Sequence, residues 1–305
     1  MTINRSGQTF ALMEAHDFSA HDVGRFAVER QTIWHKRTIL GEPGPWTEDP
    51  ALQRFHFCNV QRDLDRGTVY LATQLAAHAG APRAERLLNT AMYRQLNRRD
   101  LWESGAAGWI APTADGVLGA CEALERHRQA GNSIGPTSWM PSTGTVSGCL
   151  REVGLGVVEH LGELDELCDS VTDGSLEPVQ KYMKKNCRRL TGMVGFQVCL
   201  DLTYTYPNLS DDVWVWLYGG HEDTGSHWTA RRLRPDMTTL ECCRWLRDTQ
   251  DAWLAPHGWG DVAWEGKPRL SLADVEHLLC EYRKWVRATL TRGAKRKYRG
   301  LGEGS

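Results

Sequence analysis

No run of apolar residues approaches the length a membrane span needs, and residues 1–7 are polar with no signal-peptide core. The expected compartment is therefore the cytoplasm. No CxxC repeat occurs among the nine cysteines, which argues against a zinc ribbon. A chain of 305 residues can bury a sizeable core without disulfide staples, so reduced thiols are the expectation. His277 and Cys280 stand three apart and Cys242 and Cys243 are adjacent, but neither pair completes a four-ligand set, and no metal site is expected. There is no internal repeat, Walker loop, dinucleotide glycine motif or nucleophile elbow. Charge of one sign is also lacking. A net charge of −2 excludes a protein that wraps nucleic acid with its whole surface, though not a local basic patch.

What is present is helical periodicity, with few strand signals, and the expected class is all-α. Helices are expected over 19–37, 52–78, 84–102, 115–129, 153–167, 176–186, 192–204, 239–254 and 271–290. The segment 211–217 alternates Val213, Val215 and Leu217 with two tryptophans, and reads as a strand or a buried helical turn. The Gly-, Ser-, Thr- and Pro-rich stretch 131–148 is a loop or the crossing between two lobes, roughly 1–135 and 136–290 of one helical domain. The tail 291–305 carries five basic residues, among them Lys295, Arg296 and Lys297, and four glycines. It suits non-specific phosphate attraction or plain solubility.

Two segments carry candidate chemistry. In PWTEDP followed by RFHFCNVQRDLDR, Thr47 suits an N-cap, Glu48 and Asp49 suit the positive end of the helix dipole, and Pro50 is tolerated in the first turn. Continued as a helix, this segment puts Phe57, Val60, Leu64 and Leu71 on one stripe and Phe55, Asn59, Arg62 and Arg66 on nearly the opposite one. Guanidiniums suit phosphate because their planar forks bind oxygens in pairs. The same stripe also reads as a solvated polar face. In the segment 192–204, Gln197 and Asp201 lie four apart on a mostly apolar helix. A carboxylate in that company is either paired with an arginine or shifted upward in pKa, and the second state suits a base. On the last helix, Ser271 and Asp274 form a capping box and Val275, Leu278, Leu279, Tyr282 and Val286 form a core face. Glu276, Cys280 and Lys284 share another face, and Glu281 with Lys284 reads as an i,i+3 ion pair. The thirteen tryptophans are mostly core material, with one or two available to stack on a base.

Four segments in order resemble the α-glutamyl/putrescinyl thymine pyrophosphorylase family, bacteriophage-type amino acid:DNA transferases that hypermodify thymine. They are RFHFCNVQRDLDR, where the family's Phe–x–x–Asn–x–x–Arg–x–x–Asp core falls on Phe55 or Phe57, Asn59, Arg62 and Asp65; GMVGFQVCLDLTY at 192–204; the glycine turn YGGHEDTG at 218–225; and DVEHLLCEYRKW at 274–285. Two turns depart from the pattern. Gly192 and Gly195 stand three apart rather than two, and the second turn reads Gly-Gly-His where relatives tend toward Gly-Pro-Gly.

The resemblance implies a fold related to helix–hairpin–helix DNA glycosylases. It also implies a double-stranded DNA substrate carrying pyrophosphorylated 5-hydroxymethyluracil, from which an amine such as glycine, glutamate or putrescine displaces pyrophosphate. The setting would be the cytoplasm of an infected host. In that chemistry Arg62 and Arg66, with Arg54 beside them, would clamp the pyrophosphate, or else pair with surface acids. Asn59 and Gln197 would position the base or leaving group, and Asp201 would take the proton. Asp65, Glu276 and Lys284 would help hold the substrate, and Lys295, Arg296 and Lys297 would meet the DNA backbone. No cofactor is firmly implied. Mg²⁺ bridging the pyrophosphate is chemically sensible, but no acidic cluster demands it. A base-excising glycosylase and a non-catalytic DNA-binding module remain the alternatives.

Overall fold

The computed structural model describes Met13 and residues 15–135, 145–217 and 225–291. In chain order its α-helices are α1 (Ala20–Trp34), α2 (Pro50–Arg54), α3 (Arg66–Ala77), α4 (Arg83–Leu96), α5 (Arg99–Glu103), α6 (Ala114–Gln129), α7 (Val146–Glu159) and α8 (Leu161–Ser170). They continue as α9 (Glu177–Asn186), α10 (Gly192–Leu202), α11 (Gly225–Leu233), α12 (Thr239–Asp248), α13 (Gln250–Leu254), α14 (Trp259–Val262) and α15 (Leu272–Thr291). No strand occurs among the described residues, so the protein is all-α. The segment 211–217 is a turn followed by irregular backbone. The glycine turn 218–224 and the basic residues Lys295, Arg296 and Lys297 lie outside the described residues.

By contacts the chain groups into two units, one made of Met1–Asp65 with Leu217–Ser305 and the other of Arg66–Trp216. The cuts fall at 65/66 and 216/217, whereas the sequence reading divides the lobes at 135/136. The first unit joins segments from the two ends of the chain, a pairing that no local composition announces. In it α15 is the central helix. Val275, Leu278, Leu279, Tyr282 and Val286 are all buried, as their spacing predicts. Thr229 Oγ1 of α11 donates to Leu279 O at 2.9 Å, and Trp285 Nε1 donates to Asp49 at 2.9 Å. Gly24 lets α1 lie against α13, since a Cβ there would sit 1.9 Å from Trp253 O.

The start of α15 is closed as its sequence predicts. Ser271 N donates to Asp274 Oδ2 at 3.1 Å, and Asp274 N donates to Ser271 Oγ at 3.2 Å. Asp274 is fully buried and also accepts from Arg62 N and from Lys267 Nζ, each at 2.9 Å. Asp274→Ala therefore removes a cap and two further bonds at once. We expect a loss of about 2–3 kcal/mol in urea denaturation, while Asp274→Asn keeps part of the cap and loses less.

The second unit is built on α4, whose Leu87, Leu88, Ala91, Met92 and Leu96 are buried. The helix expected over 84–102 is two helices, because Asn97 turns left-handed (φ 48°, ψ 44°) and ends α4. His160 (φ −113°) and Thr249 (φ −102°), neither of them left-handed, divide the expected 153–167 and 239–254 helices.

Candidate functional site

The helix expected over 52–78 is interrupted, and the interruption is held by hydrogen bonds from other elements of the first unit. Asp49, not Thr47, caps α2, accepting from Ala51 N at 2.7 Å and Leu52 N at 2.8 Å. Thr47 Oγ1 accepts from Asp49 N instead. The helix stops at Arg54, and Phe55 turns extended (φ −118°, ψ 150°). Residues 62–64 form one 3-10 turn before α3 begins at Arg66.

Backbone groups that a helix would pair internally are taken by side chains from elsewhere. Arg30 of α1 donates to Phe57 O at 3.1 Å and to Asn59 Oδ1 at 2.7 Å. Asn59 closes the loop on itself: its Nδ2 donates to Leu64 O at 2.7 Å, and its N–H donates to Asp65 at 3.0 Å. From α15, Glu281 accepts from Cys58 N at 3.0 Å and Asp274 accepts from Arg62 N. Lys267 bridges Asp63 and Asp274, at 2.9 Å to each. The loop thus brings together two of the four family-like segments, 54–66 and 274–285.

The two stripes predicted for this segment do not exist as opposite faces. Phe55, Phe57, Asn59, Val60 and Arg62 are all at least nine-tenths buried. Arg62 and Arg66 are not one helical turn apart, because the 3-10 turn and the extended Asp65 intervene; Arg66 opens α3 in the other unit and is exposed. Arg54 is exposed, its guanidinium 5.3 Å from the Phe55 ring centroid. Lys284 pairs with Glu281, as its spacing predicts, and its Nζ lies 4.8 Å from the Phe57 ring centroid, on the loop's side of α15. Glu276 is buried and accepts from Ser226 Oγ at 2.7 Å.

Burial raises the pKa of the Asp65 carboxyl above its ordinary 3.8, against the opposing pull of the Asn59 N–H and of Arg30, His277 and Arg62. Burial also lowers Arg30, partly offset by Asp65. The Cys58 thiol is pushed far up by the Glu281 carboxylate and by burial, so it is a poor nucleophile. Arg30 is 8% exposed, and its Nη1 hydrogen-bonds to none of the described residues. The sequence reading passed over this arginine. Its position was a signal: it sits four residues after Phe26 and four before Trp34, on the buried stripe of α1.

In the second unit, Asp201 and Gln197 lie on α10, and both are buried. Of the two states its apolar company allowed, Asp201 adopts the ion pair. Arg94 Nη2 donates to Asp201 Oδ1 at 2.8 Å, and Arg94 Nε donates to Oδ2. Arg94 also reaches Asn97 Oδ1 at 3.2 Å and Thr68 Oγ1 at 3.3 Å. Among the described residues no group of His, Cys, Asp and Glu side chains is placed to hold a metal ion, and no helix is long and apolar enough to cross a membrane.

Comparison with known proteins gives this geometry a family. The family model described as "5-hmdU DNA kinase, helical domain" matches residues 19–295, which is nearly all of the chain and includes the 55–65 loop and α15. The chain belongs to this family. A 5-hmdU DNA kinase of Bacillus phage SP10 is 27% identical over 192 residues, a match covering 57% of this chain and 29% of that protein. The chain therefore corresponds to less than a third of that relative's length. No solved structure matches it. Membership in the 5-hmdU DNA kinase helical-domain family is coarser than the pyrophosphorylase resemblance, since it does not single out the amine-transferring members.

Proposed function

We propose that this chain takes part in thymine hypermodification, acting on DNA whose 5-hydroxymethyluracil has been pyrophosphorylated, and that it replaces pyrophosphate with an amine. The names of the family and of the phage relative support 5-hydroxymethyl-deoxyuridine in DNA as the substrate class. The observation that carries the reading is Arg30: a buried guanidinium that already organises the Asn59–Arg62–Asp65 loop and whose Nη1 has no hydrogen-bond partner among the described residues. A buried donor of this kind suits an anionic leaving group.

In this reading the amine lone pair attacks the base methylene carbon, the C–O bond breaks, and pyrophosphate leaves with the electron pair. Arg30 and Arg62 stabilise the departing charge. Asn59 is held in place by Arg30 and Leu64 and orients an oxygen of the leaving group. The ammonium proton passes to Asp65, whose raised pKa makes it the better base; both oxygens of Asp201 already accept from Arg94. Arg54 and Lys284 supply phosphate attraction around the loop, and Arg66 and Gln197 are proposed DNA or base contacts of the second unit. The reading assigns no metal.

The test is to incubate the protein with DNA bearing pyrophosphorylated hydroxymethyluracil and a mixture of amino acids and polyamines, then analyse the nucleosides by mass spectrometry. An amine on the base methylene with released pyrophosphate supports the reading and identifies the donor. Unchanged base sinks it for those donors, and free base with abasic sites points to a glycosylase. The pH profile tests Asp65 separately. Only the ionised carboxylate accepts a proton, so the rate is expected to rise with pH through a pKa above 3.8 and then level off. Asp65→Asn should abolish that limb and cost roughly 10²–10⁴ in rate.

A further inference from the structure

His277 stands on the face of α15 that meets the 55–65 loop, and the chemistry above gives it no part. Three neighbours on that face touch the loop. Asp274, three residues earlier, accepts from Arg62 N at 2.9 Å, and Glu281, four residues later, accepts from Cys58 N at 3.0 Å. Lys284 Nζ lies 4.8 Å from the Phe57 ring centroid. At helical spacing these positions form one stripe with His277 inside it. The loop thus runs antiparallel to α15, with Arg62 level with 274 and Cys58 level with 281. Asn59 N donates to Asp65 Oδ1 at 3.0 Å, which folds the end of the loop back and sets the carboxyl beside residue 59. That level falls between the two anchors, where His277 also stands. Both residues belong to the first unit, and the pull of His277 on the Asp65 carboxyl agrees with this placement.

The imidazole is held in one tautomer. Its Nδ1 lies 2.8 Å from Ala273 O, and a carbonyl only accepts. Nδ1 therefore carries a proton, and Nε2 is the nitrogen that can take up another. The side chain is 23% exposed, so the ring links the loop to solvent. Two of the acids near it are already paired, Glu281 with Lys284 and Asp274 with Lys267. Glu276 is the competing carboxylate, its Oε2 3.9 Å from the ring Nδ1. Arg30 of α1 and Arg62 of the loop pull on the same Asp65 carboxyl, but a guanidinium does not give up its proton. Of the three cationic groups that act on Asp65, only the imidazole both accepts and releases a proton near neutral pH.

Building on the transferase reading above, we infer that His277 is the proton relay for Asp65. The ammonium of the incoming amine gives its proton to the Asp65 carboxylate. The resulting acid passes it to His277 Nε2, directly or through one water, and the imidazolium releases it to bulk solvent. Asp65 is left ionised for the next turnover, and nothing else is consumed. A substrate seated on the loop covers the carboxyl from its own side. A second exit through α15 then lets the proton leave while DNA stays bound.

Two measurements test the relay, one of them free of turnover. NMR would follow the His277 ring of the unliganded protein into acid. We expect its resonances to show a step above pH 3.8 that reports Asp65, since burial raises that carboxyl. The step should vanish in Asp65→Asn, which keeps an acceptor for the Asn59 N–H, and survive in Glu276→Gln. In turnover, His277→Gln should lower kcat by about 10², the lower end of what a proton-transferring group contributes, with KM for DNA unchanged. Free imidazole in the buffer should restore much of that loss in proportion to its concentration, which a packing defect would not allow. Absence of the step in the wild type, its survival in Asp65→Asn, an unchanged kcat, or a loss that imidazole does not restore overturns the inference. If the wild type makes no product with any amine, the transferase reading fails by itself, and the NMR step still decides whether Asp65 and His277 are coupled.

Discussion

Asp201→Asn is expected to destabilise the protein by about 3–5 kcal/mol, seen as a fall in Tm on the order of 10 °C. The carboxylate is fully buried, and the Arg94 side chain is 5% exposed. Neither charge can recover its hydration when the other is lost. An amide at 201 can still accept one hydrogen bond, but the guanidinium then keeps its full charge in a dry site where Thr68 and Asn97 offer neutral oxygens. Removing both charges is a different matter, since well-packed apolar pairs often replace buried ion pairs at little cost. Arg94→Met combined with Asp201→Leu should therefore recover most of the loss, giving a large favourable coupling in a double-mutant cycle. Thermal denaturation of the four proteins decides this. If Asp201→Asn melts with the wild type while its turnover collapses, Asp201 is the base and Asp65 is not.

Asp201 also marks how far the sequence can be read. Its helix was legible: the apolar run of 192–204 predicts α10 to within two residues. The dilemma of a carboxylate in that run was legible too, because it follows from composition. The identity of the partner was not, since Arg94 lies 107 residues away on a helix where it looks like one of several interleaved arginines. The last helix was read in more detail. Its cap, its core face and the Glu281–Lys284 pair all follow from spacings of three and four, which local sequence contains.

The 55–65 loop was misread for the same physical reason in reverse. Its residues alternate in a way that fits a helix, and nothing local forbids one. What makes a loop preferable is a set of partners 27 to 223 residues distant, Arg30, Asp274 and Glu281, which satisfy its backbone better than a helical ladder. Asn59 and Asp65 add bonds within the loop that such side chains favour outside helices. The motif Phe–x–x–Asn–x–x–Arg–x–x–Asp suggested a geometry that the structure does not adopt. Spacing by threes suggested a helical face, whereas the structure uses Asn59 and Asp65 to close a loop and leaves Arg62 anchored through its backbone.

Arg30→Met and Arg62→Met are each expected to lower turnover on pyrophosphorylated DNA by about 10²–10³, the usual cost of losing a preorganised donor to a developing anion. The two should differ in what else they change. Arg30 organises Phe57 and Asn59, so its loss also loosens the loop, and Arg30→Lys should rescue little because an ammonium lacks the planar fork that reaches both acceptors. The Arg62 backbone N–H holds Asp274 whatever its side chain, and Arg62→Lys, which keeps the charge, should regain part of the rate. A measurement free of turnover separates a clamp from a scaffold. Inorganic pyrophosphate that binds only the folded protein raises Tm in proportion to its affinity. The wild type should show that rise, and Arg62→Met and Arg30→Met should each lose most of it. An equal rise in all three proteins would mean that pyrophosphate binds elsewhere, and the loop would then be a structural joint between α1 and α15 rather than the seat of the chemistry.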